Sequence, residues 1–137
     1  MSKTYISPEL RQQVAERANH RCEYCLIHED DTYLVCQVDH IISEKHGGPT
    51  QLDNLAYACV YCNRFKGSDI GSVYWPSEEI VRFYNPRTDQ WADHFQVQDV
   101  TIVPLTTIGE VTIRVFKFNH IDRLLERQEL VARGGYP

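Results

Sequence analysis

The sequence has no hydrophobic run long enough to cross a bilayer, and its first residues lack the apolar stretch of a secretory signal. We therefore expect a cytoplasmic protein without membrane contact. The chain also lacks an excess of positive charge: 14 lysines and arginines face 19 acidic residues, which gives a formal net charge of −5. Since Lys and Arg neutralise phosphates in nucleic-acid complexes, any nucleic-acid surface here must be a local basic patch.

The 137 residues fit one domain, residues 1–137. We divide it into a core, residues 7–67, and a β-rich C-terminal extension, residues 68–137. Ser7 and Pro8 predict the start of a helix over 7–19, because a serine N-cap followed by proline suits a first helical turn. In the extension, residues 69–94 are expected to be packed but irregular. Strands are expected at 95–97, 101–103 and 110–118, followed by an amphipathic helix over 120–133.

The middle of the chain predicts a strand, a loop, a second strand and a helix. Residues 32–42 are rich in β-branched and aromatic types, and Gly47-Gly48-Pro49 marks a turn within the loop 43–53. A short return strand over 54–58 precedes a helix over 59–66 that ends at Gly67. The fold class is therefore α+β with a ββα hairpin.

Four cysteines form two Cys-x-x-Cys pairs, Cys22 with Cys25 and Cys59 with Cys62. This spacing lets both sulfurs of a tight turn reach one zinc ion at about 2.3 Å. Two such pairs complete a closed tetrahedral site, which is structural because no position is left for water or substrate. A redox dithiol or two unrelated pairs is the alternative. Cys36 lies within an apolar segment and is expected to be a buried core thiol.

Residues 20–67 resemble the zinc-containing branch of the HNH endonucleases. The resemblance is carried, in order, by Cys-Glu-Tyr-Cys, Val-Asp-His-Ile-Ile, His-Gly-Gly-Pro, Asp-Asn-Leu and Cys-Val-Tyr-Cys-Asn-Arg-Phe-Lys. It implies a ββα-metal hairpin in which the third position is Asn63 rather than histidine, and Ser43 stands where members often have proline. It also implies a metal-dependent endonuclease that leaves 5′-phosphate and 3′-hydroxyl ends.

The residue types fit the roles that the resemblance implies. His40 is the expected general base, because an imidazole with an ordinary pKa of about 6.5 can take a proton from water. Asp39 and Asn63 offer oxygen ligands to a catalytic divalent ion, Mg²⁺, Mn²⁺ or Ni²⁺. Asn54 resembles the residue that holds the loop and orients the base. Lys66 and Arg64 are candidate phosphate contacts.

The extension carries no recognisable chemical motif. We expect it to complete the core; the alternative is a platform that touches substrate or a partner, with phosphate contacts drawn from Arg82, Arg87, Arg114 and Lys117. DNA is the expected partner, and a homodimer remains open because double-strand cutting by a single-site enzyme often needs two copies. A second hypothesis is a non-catalytic zinc module that binds nucleic acid or protein. The acidic balance favours this second hypothesis, whereas the intact set Asp39, His40, Asn54 and Asn63 favours the enzyme.

The four-cysteine zinc site predicts that Cys59→Ser releases zinc and lowers the melting temperature, because structural zinc binding contributes directly to the folding free energy. Metal content and thermal unfolding of the purified variant measure both effects. Full zinc content with an unchanged melting temperature would contradict the site.

Overall fold

The computed structural model describes residues 5–32 and 35–137. The chain divides into two compact units, residues 1–70 and residues 71–137. Within the described ranges, no helix has the length and hydrophobicity needed to span a membrane.

In its described part, the first unit contains two α-helices and a two-stranded sheet, with short 3-10 turns between them: α1 (Pro8–Arg17), β1 (Gln37–His40), β2 (Leu55–Ala58) and α2 (Val60–Lys66). The Ser7 hydroxyl accepts a hydrogen bond from the Leu10 backbone N–H at 3.2 Å, so the predicted cap of α1 is confirmed. Helix α2 begins after Cys59 and ends at Gly67, as predicted.

Strands β1 and β2 pair in antiparallel fashion, with Asp39 opposite Ala56 and His40 opposite Leu55. All four residues of β2 are buried, and α1 and α2 both contact the two strands. The predicted ββα order and α+β class are therefore confirmed. Strand β1 is shorter than the predicted span 32–42, within which Tyr33 and Leu34 lie outside the described residues.

The second unit contains two β-hairpins and three helices: β3 (Gly71–Tyr74), β4 (Glu79–Arg82), α3 (Trp91–His94), β5 (Phe95–Gln98), β6 (Thr101–Pro104), α4 (Thr107–Phe116) and α5 (Ile121–Ala132). The predicted β5, β6 and final helix are confirmed. Residues 69–94, expected to be irregular, contain the β3–β4 hairpin. Helix α4 contacts β3, β4 and β6, and the buried rings of Phe83, Phe95, Phe116 and Phe118 lie in the core.

The strand predicted for residues 110–118 is wrong, because the chain forms helix α4 there. The run Val-Thr-Ile-Arg-Val-Phe favours a strand by local propensity. However, the buried residues Gly109, Thr112 and Phe116 recur at helical spacing. The Thr106 hydroxyl caps the Gly109 N–H at 3.0 Å, so packing and capping override propensity. The extension accordingly holds more helix than expected.

Two arginines of α5 are buried and bind backbone carbonyls rather than solvent or phosphate. Arg123 donates to the carbonyl oxygen of Phe116 at 2.9 Å, which satisfies an acceptor at the end of α4. Arg127 donates to the carbonyl oxygens of Val100 at 2.7 Å and Phe118 at 2.8 Å. These bonds join α5 to the β5–β6 turn and to the end of α4.

Arg82, at the end of β4, forms an ion pair with Asp89 in the segment that follows. Both guanidinium NH groups of Arg82 donate to the Asp89 carboxylate, at 2.7 and 3.0 Å, and the Asn85 N–H donates to the same carboxylate at 2.9 Å. The Arg82 bonds are the largest cause of a lowered pKa for Asp89.

We therefore expect Asp89→Asn to lower the stability of the second unit by about 1 kcal/mol at neutral pH, a modest value because Arg82 is half exposed. A lowered folded-state pKa means that the charged carboxylate stabilises the fold above its ordinary value of 3.8. That stabilisation is lost as the pH falls through the folded-state pKa, so the wild-type advantage should shrink below pH 3.8.

Urea unfolding followed by tryptophan fluorescence measures this effect, because both tryptophans, Trp75 and Trp91, lie in the second unit. Asp93→Asn, which changes an exposed carboxylate, is the matched control and should leave the midpoint unchanged. Equal midpoints for Asp89→Asn and wild type at neutral pH would show that the ion pair contributes nothing measurable.

Candidate active site and zinc centre

The four paired cysteines converge in the interior of the first unit. Their sulfurs all lie within 4.8 Å of one another, and all four residues are buried. The sulfurs of Cys25 and Cys59, one from each pair, are 3.7 Å apart. A compact set of four sulfurs is the donor set of a closed structural zinc site, so the residues fit the metal that the spacing predicts.

Each cysteine pair is shaped by its own backbone. The N–H of Cys25 donates to the sulfur of Cys22 at 3.4 Å, and the N–H of Cys62 donates to the sulfur of Cys59 at 3.5 Å. Leu26 adopts a left-handed φ of 69° that turns the chain back after the first pair. In the second pair, Cys59 is the N-cap of α2 and Cys62 lies in the first turn of that helix.

One residue, Glu23, fastens the first cysteine pair to β2. Its N–H donates to the Tyr57 carbonyl oxygen at 2.8 Å, and its carboxylate accepts from the Tyr57 N–H at 2.9 Å. These bonds tie the first cysteine pair to the strand that directly precedes the second pair, although residues 26–58 separate the two pairs along the chain.

Burial raises the pKa of the Cys22 and Cys62 thiols well above the usual value, because a lone thiolate is poorly solvated in the interior. A cation at the centre of the four sulfurs provides the opposite charge that a set of thiolates needs there. Cys36 is buried outside this group, as expected for a core thiol, and burial raises its pKa to about 12. Cys36→Ala is thus the matched control for Cys59→Ser.

A cavity of about 430 Å³ opens beside the hairpin. It is lined by Asp39 and His40 of β1, by Asn63 and Arg64 of α2, and by the loop residues 43–45. Four of the residues singled out in the sequence therefore share one cavity. Asn54 and Lys66 are not among its lining residues.

His40 is almost fully buried, with 2% of its surface exposed, at the end of β1. Its Nε2 lies 2.8 Å from the Thr50 hydroxyl oxygen. Lys66 donates to the His40 backbone carbonyl at 2.9 Å. Both the ring and the backbone of this residue are thus held by neighbours.

Asn54 closes the loop between the two strands. Its side-chain NH₂ donates to the carbonyl oxygens of Ile42 and Pro49, both at 2.9 Å, and its Oδ1 accepts from the Ile42 N–H at 3.0 Å. Gly48 lies so close that a Cβ there would stand 1.7 Å from the Ile42 carbonyl oxygen. Asn54 therefore fixes loop geometry from a buried position outside the cavity.

Asp39 and Lys66 form a buried ion pair. The Asp39 Oδ2 is 3.6 Å from the Lys66 Nζ and has no hydrogen-bond partner among the described residues. Burial raises the pKa of Asp39 and lowers that of Lys66, and each residue's charge opposes the shift of the other. A phosphate contact was expected from Lys66, but its side chain is only 3% exposed, so the structure corrects that expectation. The Lys66 ammonium instead donates to the His40 carbonyl oxygen and pairs with the Asp39 carboxylate.

Asn63 and Arg64 follow one another on α2 with different environments. The Asn63 side-chain NH₂ donates to the Gln37 side-chain oxygen at 2.6 Å, and Asn63 lines the cavity. Arg64 is exposed and lines the cavity. Arg64 therefore places a permanent positive charge at the cavity of a protein whose net charge is −5.

Comparison with known proteins supports the resemblance seen in the sequence. Residues 22–69 match the family model described as HNH endonuclease. The chain is also 24% identical over 127 residues to the Septu protein PtuB of Bacillus thuringiensis. That alignment covers 91% of this chain and 47% of the relative, so the chain spans about half the length of the relative.

No solved structure matches the chain with significant similarity. The matched segment, residues 22–69, contains both cysteine pairs, the ββα hairpin and the cavity residues. Residues 22–69 therefore match an HNH endonuclease domain, and their two Cys-x-x-Cys pairs fit a zinc-binding member of that family.

Proposed function

We propose that this protein is a metal-dependent endonuclease that hydrolyses phosphodiester bonds in DNA. The observation that carries this proposal is that Asp39, His40 and Asn63 line one cavity with an exposed arginine beside them. A general base, oxygen ligands and a cation are the groups that phosphodiester hydrolysis requires. The family match over residues 22–69 supports the same assignment.

We assign a divalent-ion site to Asp39 and Asn63. The Asp39 carboxylate keeps a buried oxygen that accepts no hydrogen bond within residues 5–32 and 35–137, and the Asn63 amide borders the same cavity. Carboxylate and amide oxygens are the donors that hard divalent cations accept in proteins. A bound Mg²⁺, Mn²⁺ or Ni²⁺ would offset the negative charge that builds up on the phosphate and the leaving 3′ oxygen.

His40 acts as the general base. It removes a proton from a water molecule while the water oxygen bonds to phosphorus. The bond between phosphorus and the 3′ oxygen then breaks, and that oxygen takes a proton from solvent. The products carry 5′-phosphate and 3′-hydroxyl ends, and Asn54 contributes by holding the loop in place.

His40→Ala should lower plasmid nicking by at least about 100-fold, because a general base contributes roughly that factor or more. Nicking is measured on supercoiled plasmid with Mg²⁺, Mn²⁺ or Ni²⁺, using protein with full zinc content. His120→Asn is the control, since it changes a histidine of the second unit and keeps a side chain able to cap α5. Equal nicking by His40→Ala and wild type would refute the role of His40.

Arg64→Gln should weaken DNA binding without changing the fold, because Arg64 is exposed at the cavity. Loss of one phosphate contact is expected to reduce the slope of log affinity against log salt by about 0.9. Arg133→Gln, an exposed arginine of the second unit, is the control. A slope that stays the same in Arg64→Gln would remove Arg64 from the interface.

The competing function is a zinc module that binds nucleic acid or protein without cutting, and the net charge of −5 favours it. The same assays separate the two. DNA binding without any cleavage, with each of the three divalent ions, would favour the binding module. Metal-dependent nicking that disappears in His40→Ala would favour the enzyme.

A further inference from the structure

Thr50 lies against the ring of His40 without lining the cavity. Its hydroxyl oxygen is 2.8 Å from the His40 Nε2, and it is the ring's hydrogen-bond partner within the described ranges. Because His40 is buried, its ring orientation is set by neighbouring side chains rather than by solvent. The Thr50 hydroxyl is therefore placed to determine which ring nitrogen faces the cavity.

The position of Thr50 is fixed on both sides by Asn54. The Asn54 side chain donates to the carbonyl oxygen of Pro49, the residue before Thr50, at 2.9 Å. The Asn54 backbone N–H donates to the carbonyl oxygen of Gln51, the residue after it, at 2.9 Å. Asn54 thus holds the short segment that carries the hydroxyl through hydrogen bonds to the loop backbone.

We infer that Thr50 is a positioning residue for the base: its hydroxyl accepts a hydrogen bond from the His40 Nε2–H and so leaves Nδ1 to take the proton from water. This inference rests on the proposed function, in which His40 is the base. A nitrogen already engaged by Thr50 is not available to water, so the acceptor must be Nδ1. For Nδ1 to be unprotonated in the neutral ring, the ring proton must stand on Nε2.

The arrangement needs no rearrangement during the reaction. When Nδ1 takes the proton, Nε2–H still donates to Thr50, so the same hydrogen bond holds the neutral ring and the imidazolium. A bond from a donor with a positive charge is also stronger than one from a neutral donor. Thr50 therefore links the loop that Asn54 organises to the ring whose other nitrogen, Nδ1, takes the proton.

The test compares Thr50→Val, which keeps the shape of the side chain but removes the hydroxyl, with Thr50→Ser, which keeps the hydroxyl. In the full-length zinc-loaded protein, we expect Thr50→Val to lower kcat for nicking about tenfold with KM unchanged. Thr50→Ser should recover most of the wild-type rate. Thr107→Val, an exposed threonine of the second unit, is the control that should leave nicking unchanged.

A second measurement does not depend on activity. The ¹⁵N NMR shifts of the His40 ring nitrogens report which one carries the proton. We expect protonated Nε2 in the wild type and in Thr50→Ser, and a mixture of the two tautomers in Thr50→Val. Thermal unfolding and zinc content establish that each variant is folded, and the wild-type spectrum is decisive should Thr50→Val fail to fold.

The outcomes separate this inference from the proposed function. A wild-type ring protonated on Nδ1, or an unchanged kcat in a folded Thr50→Val whose nicking still requires His40, would overturn the role of Thr50 and leave the nuclease intact. Wild-type protein that does not nick would refute the nuclease. In that case, an Nε2–H tautomer that is lost in Thr50→Val would still support the orienting hydrogen bond.

Discussion

The convergence of four sulfurs in the first unit is the constraint on which the hairpin depends. The first cysteine pair precedes β1 and the second directly follows β2, so one ion bound to both pairs would tie the end of β2 to the turn that carries Cys22 and Cys25. The second pair also opens α2, which carries Asn63 and Arg64. Helix α2 therefore joins the sulfur cluster to one side of the candidate active site, although their chemistry is separate.

Within the first unit, the charges of Asp39 and Lys66 are stabilised by pairing with each other rather than by exposure to solvent. Asp39 would be expensive to bury alone, and Lys66 lies beside it with its ammonium also bonded to the backbone of His40. The same lysine thus holds two neighbouring residues of β1. The positive charge left at the cavity surface for a nucleic acid is then that of Arg64 and Lys45, both exposed, in a protein whose overall charge is acidic.

Much of the first unit could be predicted from the sequence, because its signals are local. The Cys-x-x-Cys spacing, the Ser7-Pro8 cap and Gly67 each act over a few residues, and the ββα order follows from the β-branched run at 32–42, the glycine turn after it and the return strand at 54–58. The burial of Lys66 could not be predicted, because it depends on Asp39 of β1 lying beside the end of α2. Thr50 and Glu23 were missed for a similar reason: each is defined by a partner ten or more residues away. Helix α4 was assigned as a strand because its β-branched residues outweighed a buried face that only tertiary packing reveals.

The residues that line the cavity and those that gather at the sulfur cluster all fall within residues 22–68, inside the first of the two compact units. In evolutionary terms, such a segment can pass between proteins as a cassette, since recombination at its borders would leave every cavity-lining residue in place. The sequence that follows is then free to diverge under other pressures, such as the choice of partner or the site of action in the cell. Variation among relatives should accordingly concentrate outside this segment.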